Sequence, residues 1–249
     1  MISLIGEWKV VEYGVVGSTN DEARKLVEGG SGPWVAVRAR HQTRGRGRHS
    51  RRWLDRPGKA LLMTAVLPEA HPFHVTAVIC LSVLDAVRAL GGEGPLFKWP
   101  NDLVYPEGKA GGLLCEAVEG PRGPFVLAGL GLNVSYGPGE LEVEGSRITS
   151  LWVSERRLFG IDEVFRKILE NISARWKEDT RSLRREYLEN MAFIGQEVTL
   201  RPPYRCEGGG RPLSGEIRGV VVGVDDEGRL LLEGEYGMVR VTSGDAVPP

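Results

Sequence analysis

The chain has 249 residues, 41% of them apolar, enough for one large domain or a large domain with a small one beside it. Its 32 Lys and Arg against 33 Asp and Glu leave a net charge of −1, which excludes a global electrostatic pull towards nucleic acid or an acidic membrane. No run approaches ~20 consecutive apolar residues, so no membrane span is expected. Cys80, Cys115 and Cys206 have neither metal-ligand spacing nor a disulfide framework, and Met1 to Tyr13 carries Glu7, Lys9 and Glu12 where a signal peptide would be apolar. A cytoplasmic protein is expected.

In chain order, Ser18 or Thr19 is placed to cap a helix, because Asp21 and Glu22 follow three residues after each. Ala23, Leu26 and Val27 would form its apolar face, and Gly29-Gly30 would end it. Val35 to Arg40 reads as a strand leading into Gly45-Arg46-Gly47-Arg48-His49-Ser50-Arg51-Arg52-Trp53. Ala60 to Leu67 reads as a buried strand stopped by Pro68, and His74 to Leu90 as a long apolar helix. Leu96 to Trp99 is a strand broken by Pro100. Leu103 to Tyr105 and Gly111 to Val118 are hairpin partners, and Phe125 to Val134 is a strand interrupted by Gly129 and Gly131. Ile161, Val164, Phe165, Ile168, Leu169, Ile172 and Trp176 follow helical spacing, and a further helix runs around Leu183 to Met191.

From about Gly195 the pattern turns to short β runs: Val198 to Leu200, Glu216 to Gly223, Leu230 to Glu233 and Met238 to Thr242. The turn Asp225-Asp226-Glu227-Gly228 lies among them, and a small barrel of roughly 50 residues fits this spacing. Gly208 to Gly210 reads as a mobile loop tip. The fold class expected is α+β: a mixed-sheet domain over residues 1–190 and a small barrel over 191–249.

The positive charge is local. Arg46, Arg48 and Arg51 sit among glycines within seven residues, and Trp53 closes the segment. Glycine lets backbone approach a ligand, and guanidinium groups suit phosphates and carboxylates. The segment therefore reads as a loop that folds over an anionic small molecule and stays mobile until a counter-charge arrives; a solvated basic loop is the plain alternative. There is no P-loop and no Rossmann fingerprint, so a nucleotide would be held by side-chain cations. Lys98-Trp99-Pro100-Asn101-Asp102 displays polar groups at a strand end, or is an ordinary turn. Lys109 stands beside Gly111-Gly112, where it could reach a ligand pressed on bare backbone, or lie on the surface. Gly129-x-Gly131-x-Asn133 puts glycines inside a strand, which is unfavourable unless something approaches closely or the strand bends.

Taken in order, these motifs resemble those of biotin protein ligases over nearly the whole chain. The match runs through Ser18-Thr19-Asn20, Gln42, the Arg/Gly segment to Trp53, Lys98 to Asp102, Lys109 to Glu116, Gly129 to Asn133 and Thr149-Ser150-Leu151. One position departs: Ser50 stands where the family pattern has a third glycine. The resemblance implies a catalytic domain of the biotin/lipoate ligase type with an SH3-like C-terminal barrel. It implies activation of biotin by ATP to biotinyl-AMP, then transfer to one lysine of a biotin carboxyl carrier domain. Biotin would be bound by Ser18, Thr19, Asn20, Gln42, Arg46, Gly47, Arg48, Lys109, Gly112 and Gly131. The nucleotide would be bound by Arg46, Arg48, Arg51, Trp53, Asn101, Lys109 and Asn133. Arg48, Lys109 and Asp102 would be catalytic, with Mg²⁺ carried on the triphosphate and no metal site built by the protein. A homodimer is implied too. Only 17 residues precede Ser18, so no DNA-binding helix-turn-helix is expected. The rival readings are a lipoate–protein ligase, a non-catalytic biotin-binding regulator, and a nucleic-acid binder using the Arg/Gly loop and the barrel.

Overall fold

A computed structural model describes residues 1–48, 51–143, 145–207, 215–235 and 237–247. Ser50, the departure from the loop motif, and the glycine run 208–210 lie outside the described residues. The N-terminus forms two strands absent from the sequence expectation, β1 (Ile2–Ile5) and β2 (Trp8–Val16). Gly6 turns them with φ of 55°. The signal was weak because β1 is exposed on both faces, and Trp8 and Val10 are buried beside charged neighbours.

From β2 the chain passes through α1 (Thr19–Glu28) into β3 (Val35–Gln42), which lies parallel to β2. Then come β4 (Ala60–Pro68), α2 (Pro72–Ala89), β5 (Leu96–Lys98), β6 (Asp102–Tyr105), β7 (Gly108–Gly120) and β8 (Gly123–Asn133). Together the strands form one eight-stranded sheet in the order β1-β2-β3-β4-β8-β7-β6-β5. A parallel pair needs a crossover, which α1 supplies; the other pairs are antiparallel.

Three helices follow: α3 (Leu151–Glu155), also unforeseen, α4 (Ile161–Arg175) and α5 (Thr180–Glu189). By length and composition α2 is apolar enough to cross a membrane, but most of it is buried within the fold, packed on α4 and α5. Arg175 fastens this layer, its guanidinium reaching Asp85 of α2 at 2.5 Å and Glu186 of α5 at 2.7 and 2.8 Å. Phe97 of β5 stacks on Tyr187 of α5 at 5.0 Å between centroids. Full burial of each such ring contributes about 1.5–3 kcal/mol.

The last four strands, β9 (Glu197–Glu207), β10 (Ile217–Val224), β11 (Leu230–Gly234) and β12 (Gly237–Val247), close a barrel in the order β10-β11-β12-β9. β9 and β12 run longer than expected. Pro202-Pro203 reads as a break, but the β12 register skips from Arg205 to Arg201, and this irregularity absorbs the prolines. The barrel joins the main body through Trp99 Nε1, which donates to Gly228 O at 2.9 Å, and Arg184 Nε, which donates to Val224 O at 2.9 Å. Val198, Leu200 and Val221 belong to the same apolar core as Phe97 and Tyr187.

Candidate active site

The strand ends of the sheet, the Arg/Gly loop and one rim of the barrel enclose a cavity of about 830 Å³. Ser18, Thr19, Asn20, Gln42, Arg46, Gly47, Arg48, Arg51, Trp53, Asn101, Asp102, Lys109, Gly112, Gly131 and Asn133 all line it. Residues as far apart in sequence as Ser18 and Val247 thus share one enclosure.

One end is neutral. Ser18 stands at the N-cap of α1, yet its side chain makes no capping bond. The backbone N–H of Thr19 donates instead to Gln42 Oε1 of β3 at 2.7 Å, and the Thr19 hydroxyl donates to the same oxygen at 3.1 Å. A remote amide therefore does the capping expected of the local serine, and the Ser18 hydroxyl is not used for it. Thr64, fully buried on β4, donates to Asn20 Oδ1 at 2.6 Å and lies 2.9 Å from the Thr19 hydroxyl. Asn20 Nδ2 donates to Glu116 at 2.7 Å. Both ends of the Asn20 amide are thus engaged within the protein. Behind Gln42, the fully buried carboxylate of Asp55 accepts from its backbone N–H at 3.2 Å and meets His41 Nδ1 at 2.9 Å.

The other end is cationic. Arg46 pairs with Asp21 at 2.7 Å and with Glu116 at 3.1 Å, which clasps the loop to α1 and β7. Across the loop, Gly47 N donates to Arg51 O at 2.8 Å and Trp53 N to Gly45 O at 3.0 Å. Arg48 is half-buried and has no ion pair among the described residues; its guanidinium donates to Asn101 Oδ1 at 3.3 Å. Burial lowers its pKa, against the opposing fields of Asp102 and Asp245. Asn101 is fixed in turn by donating to Leu113 O at 2.5 Å. Lys109 Nζ donates to Asp102 Oδ1 at 2.6 Å across the β6–β7 pair. Arg48 and Lys109 therefore line the same cavity from different segments, and the field of Asp102 acts on Arg48 while its carboxylate holds Lys109.

The strand glycines serve close approach by the protein's own side chains. A Cβ on Gly131 would meet the Trp53 ring at 2.6 Å, and one on Gly129 would collide with Asn20 Oδ1. A Cβ on Gly112 would stand 3.2 Å from Lys109 Nζ. Bare backbone thus lets Trp53 lie on β8 as a wall of the cavity. Two buried polar atoms here lack partners among the described residues, Trp53 Nε1 and Asn133 Oδ1. An unpaired buried group costs about 1–3 kcal/mol, which a bound ligand can recover. Asn133 Nδ2 is held by donating to Thr149 O at 3.0 Å. The same loop arginines also line a second cavity of about 930 Å³, with Thr76, Cys115 and Glu116.

Sequence reasoning passed over Thr64, Glu116, Asp55 and Asp245. Thr64 had a signal, a lone hydroxyl in the apolar run Ala60 to Leu67. Glu116 closed one of the matched motifs without a role of its own, and Asp55 had only its proximity to the Arg/Gly segment. Asp245 had none, because the barrel's approach to the cavity is a tertiary fact.

Known proteins resemble this chain over most of its length. Residues 18–133 match the Biotin/lipoate A/B protein ligase family, and residues 210–247 match the Biotin protein ligase C terminal domain. A biotin–[acetyl-CoA-carboxylase] ligase of Mycobacterium tuberculosis is 30% identical over 240 residues, covering 93% of this chain and 85% of that protein. One from Paracoccus denitrificans is 31% identical over 233 residues, covering 88% of this chain and 92% of that protein. The structure of a biotin protein ligase from Aquifex aeolicus in complex with biotin and ATP superposes with a TM-score of 0.77 at 27% identity, covering 95% of this chain and 97% of that one.

Proposed function

The chain belongs to the biotin protein ligase family, and from that premise we propose how its residues carry out the ATP-dependent activation of biotin and its transfer to a lysine of a carrier domain. The observation that carries the proposal is the cavity itself: a neutral, hydrogen-bonded end and a cationic end meet in one enclosure. Biotin has a neutral ureido ring and a carboxylate tail, and ATP brings the anionic phosphates. The two ends match this division.

We assign the ring to Ser18, Thr19, Asn20 and Gln42, which offer neutral donors and acceptors. Trp53, on Gly131, covers the substrate, and Asn133 Oδ1 offers an acceptor to the nucleotide. In the first step a carboxylate oxygen of biotin bonds to the α-phosphorus as its bond to the bridging oxygen breaks, and pyrophosphate leaves. Two anions must approach, so the transition state needs positive charge. Arg48 and Lys109 are assigned to supply it; among the described residues Arg48 meets the neutral Asn101 rather than a carboxylate, which leaves its charge for phosphate. Arg51 and Asn101 line the phosphate side, while Arg46, through Asp21 and Glu116, and Gly47, through its bond to Arg51 O, keep the loop closed. In the second step the acceptor amine nitrogen bonds to the acyl carbon and AMP leaves. Asp102 spends Oδ1 on Lys109 and is assigned, through its other oxygen, to orient the amine and take its proton.

Among the described residues no group of three or more His, Cys, Asp or Glu could hold a metal. A hard cation bound by triphosphate needs only one or two carboxylates, and Asp102 lines the cavity. This supports Mg²⁺ carried on the nucleotide, neutralising phosphate charge. A homodimer is supported by edge strand β1, whose Ile2 and Leu4 are 65% and 77% exposed. Net charge near zero supports a protein with no DNA partner, and the division into 1–190 and 191–249 follows the change from the helical layer to the barrel. A cytoplasmic location goes with an acceptor that is itself an enzyme domain.

The test is to incubate the protein with labelled biotin, ATP, Mg²⁺ and a carrier domain, beside a parallel reaction with lipoate. Label on a single carrier lysine, with pyrophosphate released and lipoate unused, is expected. Biotin binding without pyrophosphate release would make the protein a regulator instead.

A further inference from the structure

Lys98 opens one of the site motifs, yet the ligation chemistry above gives it no task. Its side chain is only 16% exposed, and its ammonium donates to Asp245 Oδ1 at 2.7 Å. Asp245 belongs to β12 of the barrel, and its other oxygen lies 3.9 Å from Arg51 of the Arg/Gly loop. One carboxylate therefore faces two cations from two separate segments, on the wall of the cavity assigned to the nucleotide. The strand delivers it there: the β12 register shifts between Ser243 and Asp245, and such irregularities re-aim side chains. The bond from Trp99 to Gly228 holds the barrel against the same motif.

A lysine and an arginine converging on the two oxygens of one anionic group is also how a protein holds phosphate. We propose that Asp245 is an internal counter-anion for the pyrophosphate portion of ATP, competing with it for Lys98 and Arg51 and so hastening release of pyrophosphate after adenylation. The inference rests on the ligase reading and adds to it a task for the barrel. Two unpaired cations facing the phosphates would hold the departing pyrophosphate strongly and favour reversal of the first step. With Asp245 present they exchange one anion for another, and the net gain on binding is reduced. A mere fastening of the barrel is the competing account. The barrel already has the Trp99 and Arg184 bonds and a shared apolar core, while Asp245 is 44% exposed in its side chain.

The two accounts differ in sign. The experiment measures biotin-dependent ATP–pyrophosphate exchange and pyrophosphate inhibition on the full chain, for wild type, Asp245→Asn, Asp245→Ser and Lys98→Gln. Removing the carboxylate should tighten pyrophosphate binding, lowering its inhibition constant by about fivefold to tenfold at low salt, with a parallel fall in the KM for ATP. The gain should shrink as salt screens the charges. Lys98→Gln should weaken pyrophosphate inhibition, and combining it with Asp245→Asn should remove most of the gain. Unchanged or weaker inhibition in both Asp245 variants would overturn the inference. A wild-type protein with no biotin-dependent exchange would instead overturn the ligase reading beneath it.

Discussion

At one end of the cavity Thr64, Thr19, Asn20 and Gln42 are neutral and hydrogen-bonded to one another, with Thr64 fully buried. At the other, Arg46, Arg51, Lys98 and Lys109 are paired with Asp21, Glu116, Asp245 and Asp102, most of them partly open to solvent. The neutral end stands on α1, β3 and β4, whose positions are set by the core. The charged end stands on a loop and on strand ends. The difference teaches how each substrate is met. Neutral groups in a buried site must be aligned beforehand, because a misplaced donor is left unpaired. Exposed ion pairs contribute little, about 0–1 kcal/mol, so phosphates can displace the internal carboxylates cheaply.

The sharpest way to break this comparison is to remove a cation. Arg48→Ala and Lys109→Ala are each expected to slow adenylate formation by roughly 10²–10³-fold, as loss of a preorganised charge partner does. Biotin affinity should change far less. Single-turnover formation of biotinyl-AMP beside biotin titration checks this, and a variant turning over at the wild-type rate would erase the distinction between the ends.

The converse substitution is Thr64→Val, which keeps shape and deletes the donor to Asn20. Biotin affinity should fall about tenfold, in line with roughly 1–3 kcal/mol for a buried group left unpaired, with the KM for ATP nearly unchanged. Equal effects on both substrates would mean that the two ends are not independent.

Glu116→Gln loosens the Arg46 clasp while leaving an amide for Asn20. A surface pair of this kind predicts only a few-fold faster dissociation of biotinyl-AMP, read by stopped-flow tryptophan fluorescence with a Trp53→Phe control.

The smallest effect lies outside the cavity, in the barrel turn. Burial resists charge on Asp225, but donors from the Arg229 side chain, the Arg229 backbone and Glu227 N outweigh it and hold the carboxyl below its usual range. A lowered folded pKa adds stability that is present above the ordinary carboxylate pKa of 3.8 and lost as pH falls through the lower folded value. Thermal melts of wild type and Asp225→Asn should therefore differ at neutral pH and converge in acid.

Much of the fold was legible because its signals are local. The apolar run of β4 and the periodicity of α4 follow directly from burial. β1 and β2 were not legible, since their order comes from pairing with each other and with β3. The long β9 hid behind Pro202-Pro203 because register, which decides whether prolines are tolerated, is a property of the partner strand.

By itself the sequence determined which chemistry the chain carries: the types, order and spacing of the arginines, lysines, amides and glycines. Only the tertiary structure decided which of these groups are already spoken for. Gln42 caps a helix 23 residues away in sequence, Arg46 is clasped, Arg48 has no ion pair among the described residues, and a barrel carboxylate stands against Lys98. The physical reason is range. Propensity and periodicity act over a few residues, whereas a charge or a buried amide is satisfied by whatever the folded chain brings within about 3 Å.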